Sequence, residues 1–257
     1  MNEGAESAAA GGSVTAAVLV IGDEILSGRT KDKNLGHIAD RLALMGIELR
    51  EARVVPDDEA EIVAALDALR VRYDYVFTTG GIGPTHDDIT ADCVAKAFGV
   101  PIEEDPRAIA MLLERIKPED LNASRRRMAR IPRGASLVDN PVSRAPGFML
   151  GNVIVMAGVP NIMQAMLDDV APRLRSGRKL TVETIPAGML PEGAYAASLG
   201  EIAVANPEAS IGSYPSWRDG RFHNQIVVRA KDPADAAAAA KAVRAMLARL
   251  GGCEGGV

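Results

Sequence analysis

Nine consecutive residues concentrate the chemistry this chain can offer: Gly80-Gly81-Ile82-Gly83-Pro84-Thr85-His86-Asp87-Asp88. Three glycines in four positions let backbone N–H groups approach a ligand without Cβ clashes. A helix is expected to follow, and helix N-terminal amides favour anions. The run therefore reads as a phosphate cradle. Asp87 and Asp88 complicate it, because two carboxylates repel a phosphate unless a divalent cation lies between them. Mg²⁺ is commonly held by one or two carboxylates plus substrate phosphates. Loop and aspartate pair together point to a metal-bridged phosphate or diphosphate, with Asp87 and Asp88 as metal ligands. Either aspartate also suits a plainer role, capping the helix. His86 can shuttle a proton, hold a metal or act as a structural hydrogen-bond donor.

A second run, Gly22-Asp23-Glu24-Ile25-Leu26-Ser27-Gly28, has the same two-sided character. Asp23 and Glu24 can orient a water, bind a metal or contact a ligand's hydroxyls. They can equally be solvated turn residues. Arg125, Arg126, Arg127, Arg130 and Arg133 fall within nine residues. Arginine suits bidentate phosphate binding. On a helix, however, Arg126 and Arg130 share a face while Arg125 and Arg127 diverge, as on a solvated surface.

These runs need a scaffold, and the apolar pattern supplies one. Ala16 to Ile21 and Tyr75 to Thr79 are short, largely apolar and end in glycines, which suits strands buried on both faces. Ile47 to Val55 reads as a third strand. Helices are expected over 33–45, closed by Gly46, after the Pro56-Asp57-Asp58 break, and over 89–98, closed by Gly99. Strand and helix alternate, which implies a parallel sheet with helices on both faces. Ligands of such sheets bind beyond the carboxyl ends of the strands, where both loops lie. Asp105-Pro106 opens a helix to about Lys117, and 122–130 reads as helical. Phe148–Leu150 and Val153–Val155 form a hairpin across Gly151-Asn152, and a helix spans 161–174. Beyond a linker at 176–178 the pattern changes to a small α+β domain. It has strands at 181–185, 210–214 and 224–231, the last two joined across Asp219-Gly220. Its helices lie near 195–205 and from Asp232-Pro233 to Leu250. The expected domains are thus 14–175 and 180–251, with loose tails at 1–13 and 252–257.

Composition bounds the function. The chain has 257 residues, 47% hydrophobic and 25% charged, as in a folded globular protein. A net charge of −5 offers no general field for nucleic acid or an anionic membrane. The arginine cluster lacks the interleaved aromatics of a nucleic-acid platform. The first 13 residues resemble no signal peptide, and Val14 to Ile21 is far shorter than the roughly 18 residues of a membrane span. Cys93 and Cys253 cannot form a disulfide framework or a four-cysteine zinc site. A reducing, cytoplasmic setting is expected.

Several motifs carry a family resemblance. Ile21 to Gly28, with Asn34 following, resembles the opening motif of the CinA (competence/damage-inducible protein A) family. Thr78 to Thr90 is similar to that family's longest signature almost residue for residue. Asn140-Pro141-Val142, Ala145-Pro146-Gly147-Phe148 and Gly158-Val159-Pro160-Asn161 match later motifs in order and spacing. The resemblance runs from about Val14 to Leu174. It implies the MoaB/MogA type of molybdopterin-binding fold, a three-layer α/β/α domain with a mostly parallel sheet. It also implies that residues around Ile211-Gly212-Ser213-Tyr214-Pro215 belong to a small module like the one that follows this fold in eukaryotic FAD synthases.

The family implies either of two functions. CinA-type members are associated with metal-dependent hydrolysis of ADP-ribose to AMP and ribose 5-phosphate. Relatives bind molybdopterin or adenylylate it. Ile82-Gly83-Pro84 stands where the adenylyltransferases typically have Thr-Gly, which lowers the case for molybdenum cofactor synthesis. Full-length CinA proteins continue into a nicotinamide-nucleotide amidase domain, and this chain stops before it, so amidase activity is not expected. The expected site comprises Asp23, Glu24, Asp87 and Asp88 as catalytic residues. The expected ligand contacts are Gly22, Gly28, Asn34, Thr79, Gly80, Gly81, Gly83, Thr85, Arg127, Gly158, Pro160 and Asn161. A divalent metal (Mg²⁺, Mn²⁺ or Co²⁺) is the expected cofactor, and a nucleotide or phosphorylated pterin such as molybdopterin the ligand. The family also implies a homo-oligomer.

Overall fold

The computed structural model describes residues 13–218 and 220–251. Apart from Ser13, the segments read as tails lie outside the described residues, as does Cys253. The chain divides between Gly177 and Arg178 into two compact units.

The first unit contains β1 (Val14–Ile21), α1 (Asp23–Leu26), α2 (Asn34–Leu44), β2 (Ile47–Val55), α3 (Glu59–Arg70), β3 (Tyr75–Thr79) and α4 (Thr90–Phe98). It continues with β4 (Ile102–Glu104), α5 (Pro106–Leu113), α6 (Ala123–Arg127), β5 (Arg130–Pro132), β6 (Ser136–Val138), β7 (Gly147–Leu150), β8 (Val153–Met156) and α7 (Pro160–Val170). The main sheet has the order β2-β1-β3-β8-β7-β6. Its first four strands are parallel, and the β7–β8 hairpin adds an antiparallel edge. Alternation along β1 feeds two cores. Ala17, Leu19 and Ile21 pack with α3, α4 and α5, while Ala16, Val18 and Val20 pack with α2 and α7. This is the expected three-layer α/β/α arrangement.

β2 changes faces partway along. Leu49 pairs with Ala16 and Glu51 with Ala17, so Arg50 is a bulge. Ile47 and Leu49 face one core, and Val55 the other.

Local chemistry accounts for most boundaries. Asp58 caps α3 by accepting from Ala60 N and Glu61 N, and Asp105 caps α5 from Arg107 N. Gly99, at φ 64°, closes α4 in the left-handed region. Several expectations are corrected. The Gly22–Gly28 run includes the one-turn helix α1. The helix expected to reach Lys117 ends at Leu113, and 122–130 splits into α6 and β5. The expected 161–174 helix gives way to a 3₁₀ turn at Ala171–Arg173. Neither Asp87 nor Asp88 caps α4, whose N-cap Ile89 has no side-chain partner.

The second unit contains β9 (Thr181–Pro186), α8 (Glu192–Ala205), β10 (Ala209–Tyr214), β11 (Trp217–Arg218), β12 (Arg221–Phe222), β13 (Gln225–Ala230) and α9 (Pro233–Arg249). β13 lies between β10 and β9, antiparallel to both. The small β11–β12 ribbon between β10 and β13 was not expected from the sequence. Among the described residues, no helix is long and apolar enough to cross a membrane.

Two consequences follow. Gly80 has φ +106°, and a Cβ there would stand 2.1 Å from the Ile21 carbonyl oxygen. Gly80→Ala is expected to cost about 3 kcal/mol or more in denaturant unfolding. Burial, ahead of the nearby Glu59 and Asp92, pushes the Cys93 thiol up to about 12. In a Cys253→Ser background, Cys93 should resist a disulfide-exchange reagent at pH 8 until the protein is denatured.

Candidate functional site

The carboxyl ends of β1, β2, β3 and β8 meet at one edge of the main sheet. Gly22 N donates to Val55 O at 3.1 Å and Gly80 N to Met156 O at 3.2 Å, which ties the four ends together. A Cβ on Gly158 would stand 3.3 Å from Gly80 Cα. The glycines expected to admit a ligand therefore also admit neighbouring backbone.

The expected site residues distribute on two sides of this edge. On the α2/α7 side, Asn34 Nδ2 donates to Gly158 O at 2.8 Å, next to Pro160 and Asn161 at the start of α7. The Asn34 Oδ1 and Thr79 Oγ1 atoms are buried without a protein partner. On the α4 side, Thr90 Oγ1 donates to Gly80 O at 3.0 Å and Thr90 N to Gly81 O at 3.0 Å. Thr90 thus clamps the turn at its base. The loop beyond it is braced by Asp88, whose Oδ2 accepts from Thr85 N at 2.8 Å and Thr85 Oγ1 at 2.6 Å. A Cβ on Gly83 would fall 2.6 Å from that same carboxylate oxygen.

Only one member of the arginine cluster reaches this loop. Arg127 Nε and Nη2 donate to Asp88 O at 3.3 and 3.2 Å. Arg130 pairs with Asp92, Arg126 with Glu104, and Arg133 with Glu103. Arg125 donates to Asp120 O at 2.7 Å. An open groove of about 370 Å³ separates the loop from α6, lined by Thr85, His86, Ser124, Arg127 and Arg130 among others. His86 is fully solvent-exposed, with Nδ1 3.9 Å from Asp87 Oδ1.

The same edge carries an acidic group that includes one residue the sequence did not single out. Asp57, just past β2, accepts from Asp23 N through Oδ2 at 3.0 Å. Burial first, then the charges of Asp23, Glu24 and Asp87, raise its carboxyl above the usual range, against the lowering effect of the Asp23 amide. The Pro56-Asp57-Asp58 break was legible as a helix start, and Asp58 does cap it. The remaining signal was position, since Asp57 follows a third strand end of the same sheet.

The donor type suits a hard cation, because carboxylate oxygens are typical Mg²⁺ ligands. Among the described residues, though, no three His, Cys, Asp or Glu side chains form a group that could hold an ion. Asp87 and Asp88 would leave most of the coordination to phosphate and water oxygens. That is the usual Mg²⁺ pattern, so the residues fit without enclosing the ion. Gly28 is exposed at the far end of the first run, its amide donating to Ile25 O at 3.1 Å.

Residues 17–176 match the family described as "Probable molybdopterin binding domain", and 187–250 match "FAD synthase, middle domain". A "CinA-like protein" of Citrifermentans bemidjiense is 43% identical over 166 residues, 62% of this chain and 40% of that protein. A protein of Caldivirga maquilingensis is 37% identical over 197 residues, 74% of this chain and 76% of that one. The crystal structure of the protein CinA, of unknown function, from Thermoplasma acidophilum is 36% identical. It covers 63% of this chain and 98% of its own, with a TM-score of 0.60. The chain spans about 40% of the length of the CinA-like relative from Citrifermentans.

The raised Asp57 carboxyl has a stability consequence. Its ionised form is disfavoured in the fold, so its contribution is most favourable below the unfolded pKa and is lost as pH rises through the folded one. Asp57→Asn keeps an oxygen acceptor for Asp23 N. It should unfold at a higher temperature than wild type at pH 7, with the gap closing below about pH 4.

Proposed function

Because the chain belongs to the CinA-like molybdopterin-binding-domain family, we propose that it is a metal-dependent nucleotide pyrophosphatase for ADP-ribose or a similar nucleoside diphosphate compound. The observation that supports this reading most is the crowding of Asp57 by Asp23, Glu24 and Asp87 beside a glycine loop suited to phosphate. Such a group is unfavourable for an anionic ligand unless a cation accompanies it.

In this reading, Gly80, Gly81 and Gly83 amides hold the phosphates, and Thr85, Asn161 and Arg127 add polar contacts. A divalent cation at Asp87 and Asp88 supplies Lewis-acid polarisation of the phosphate oxygens. Asp23 or Glu24 orients the attacking water or the sugar hydroxyls, and Asp57 adds to the negative charge that favours the cation. Water adds across the P–O–P bridge, releasing AMP and ribose 5-phosphate. Asp88 has a second duty, since its carboxylate braces Thr85. The setting we propose is cytoplasmic.

The match to a probable molybdopterin binding domain favours a second reading, binding of molybdopterin or a related phosphorylated pterin without chemistry. One experiment separates the two. AMP release from ADP-ribose is measured with Mg²⁺, Mn²⁺ or Co²⁺ against an EDTA control. Metal-dependent release is expected, and Asp87→Asn should lower it by about 10²-fold with an unchanged melting temperature. Asp88→Asn should lower it similarly while also loosening the loop. No release with any metal, together with retained pterin binding, would replace the first reading with the second.

A further inference from the structure

Arg29, Lys31 and Lys33 occupy alternate positions of the turn between α1 and α2, and the function proposed above leaves them unused. All three are exposed, and among the described residues none has an ion-pair or hydrogen-bond partner. In the first unit this sets Arg29 apart. Every other arginine of that unit holds a carboxylate or a carbonyl oxygen.

The turn that carries these cations is well anchored. Gly28 N donates to Ile25 O at 3.1 Å and Thr30 N to Glu24 O at 2.9 Å. Asp32 Oδ1 accepts from Asn34 N at 3.3 Å and Oδ2 from Leu35 N at 2.9 Å. Its carboxylate is thus committed to the first amides of α2 and leaves the flanking lysines unneutralised. Lys31 doubles back, with Nζ 4.0 Å from a Cβ built on Gly28. Asp23 and Glu24 lie on α1 just before the turn, yet neither forms an ion pair with any of the three cations among the described residues. The turn also sits beside the glycine loop. Asn34 Nδ2 donates to Gly158 O at 2.8 Å, and a Cβ on Gly158 would stand 3.3 Å from Gly80 Cα. Lys33 is therefore one peptide step, about 3.8 Å, and two short contacts from the first residue of the cradle. Arg127 reaches the same loop from the α4 side, so cations flank it on both sides.

We propose that the 29–33 turn is a second anion subsite, and that the ligand carries a phosphomonoester on its nucleoside ribose in addition to the diphosphate. The inference rests on the nucleotide reading above and narrows its substrate class. Acids and bases held apart at one edge suit a ligand that brings a cation to the first and an anion to the second. The glycine amides and the accompanying metal ion already answer the charge of a diphosphate. Arg29, Lys31 and Lys33 then remain for a further dianion, which guanidinium and ammonium groups bind well. A ribose 2′- or 3′-phosphate supplies that dianion without lengthening the anhydride chain. ADP-ribose lacks it and becomes the weaker ligand, because preference is a difference between two affinities.

The test is isothermal titration calorimetry of the full chain, in Mg²⁺, with AMP, adenosine 2′,5′-bisphosphate and adenosine 3′,5′-bisphosphate. The two bisphosphates separate the two ribose positions. One of them should bind at least about tenfold tighter than AMP, and its advantage should shrink between about 50 and 200 mM salt. Lys31→Met/Lys33→Met keeps Asp32 and Asn34, so α2 starts as before. It should abolish the advantage with unchanged circular dichroism. Lys117→Met/Lys241→Met removes the same charge at exposed positions elsewhere in the chain and should preserve the advantage. Equal binding of AMP and both bisphosphates would overturn the proposal, as would binding of none of the three. So would an advantage that survives Lys31→Met/Lys33→Met. ADP-ribose hydrolysis is scored separately. A bisphosphate preference without AMP release keeps the subsite and removes the pyrophosphatase, and release without the preference does the reverse.

Discussion

At the carboxyl edge of the large sheet, the Gly80 backbone passes so near the Ile21 carbonyl that no side chain fits between them. Gly158 approaches Gly80 almost as closely. This contact draws the ends of β1, β3 and β8 into one place, and the loops that leave them have to share it. Thr90 then fixes the first turn of one loop by holding the Gly80 and Gly81 carbonyls. Asn34 fixes another by holding the Gly158 carbonyl. Tight backbone packing thus comes first, and polar side chains secure the loops around it.

The same convergence creates an electrostatic conflict. Asp23 and Glu24 on α1 and Asp87 on the 80–88 loop crowd Asp57 together. Thr85 first, then His86 and Arg127, hold the Asp87 carboxyl below its usual range, while Arg130 is paired with Asp92. Repulsion retained at one edge of an otherwise well-satisfied fold is the usual sign that binding, not stability, set those residue types. It is also why the loop's bracing matters. Asp88 and Arg127 hold the segment in place from within, by hydrogen bonds that do not depend on a ligand.

Much of this was readable before the structure, for local reasons. Buried strands announced themselves as short apolar runs, and Asp58, Asp105 and Asp232 cap the helices their positions suggested. The 80–88 run stood out because three glycines in four positions and an aspartate pair follow one buried strand. What escaped depended on distance in sequence. Asp57 meets Asp23 across 34 positions, and only the pairing of β1 with β2 puts them side by side. Asp88 looked like a helix cap because its spacing from α4 is right. Its carboxylate instead turns back to Thr85, a choice made by loop geometry. The arginine run read as a solvated helix face on which Arg126 and Arg130 go together and Arg125 and Arg127 diverge. Arg127 and Arg130 meet at Asp92 beside the glycine loop, while Arg126 and Arg133 reach β4 and Arg125 the Asp120 carbonyl, so two of the five stay together in space.

The bulge at Arg50 shows how finely that pairing is metered. Were Arg50 paired with Ala17 instead of bulged, β2 would keep one face to one core along its whole length, and Val55 would point away from the packing it now completes. The strand would also reach the edge one step out of phase. Arg50 touches nothing at the site, yet it acts as the vernier of the edge, setting which residue of the 55–58 turn arrives opposite Asp23. The bulge therefore absorbs the one residue by which β2 outruns β1, and a family member without Arg50 keeps Glu51–Val55 opposite Ala17–Ile21 and Asp57 beside Asp23.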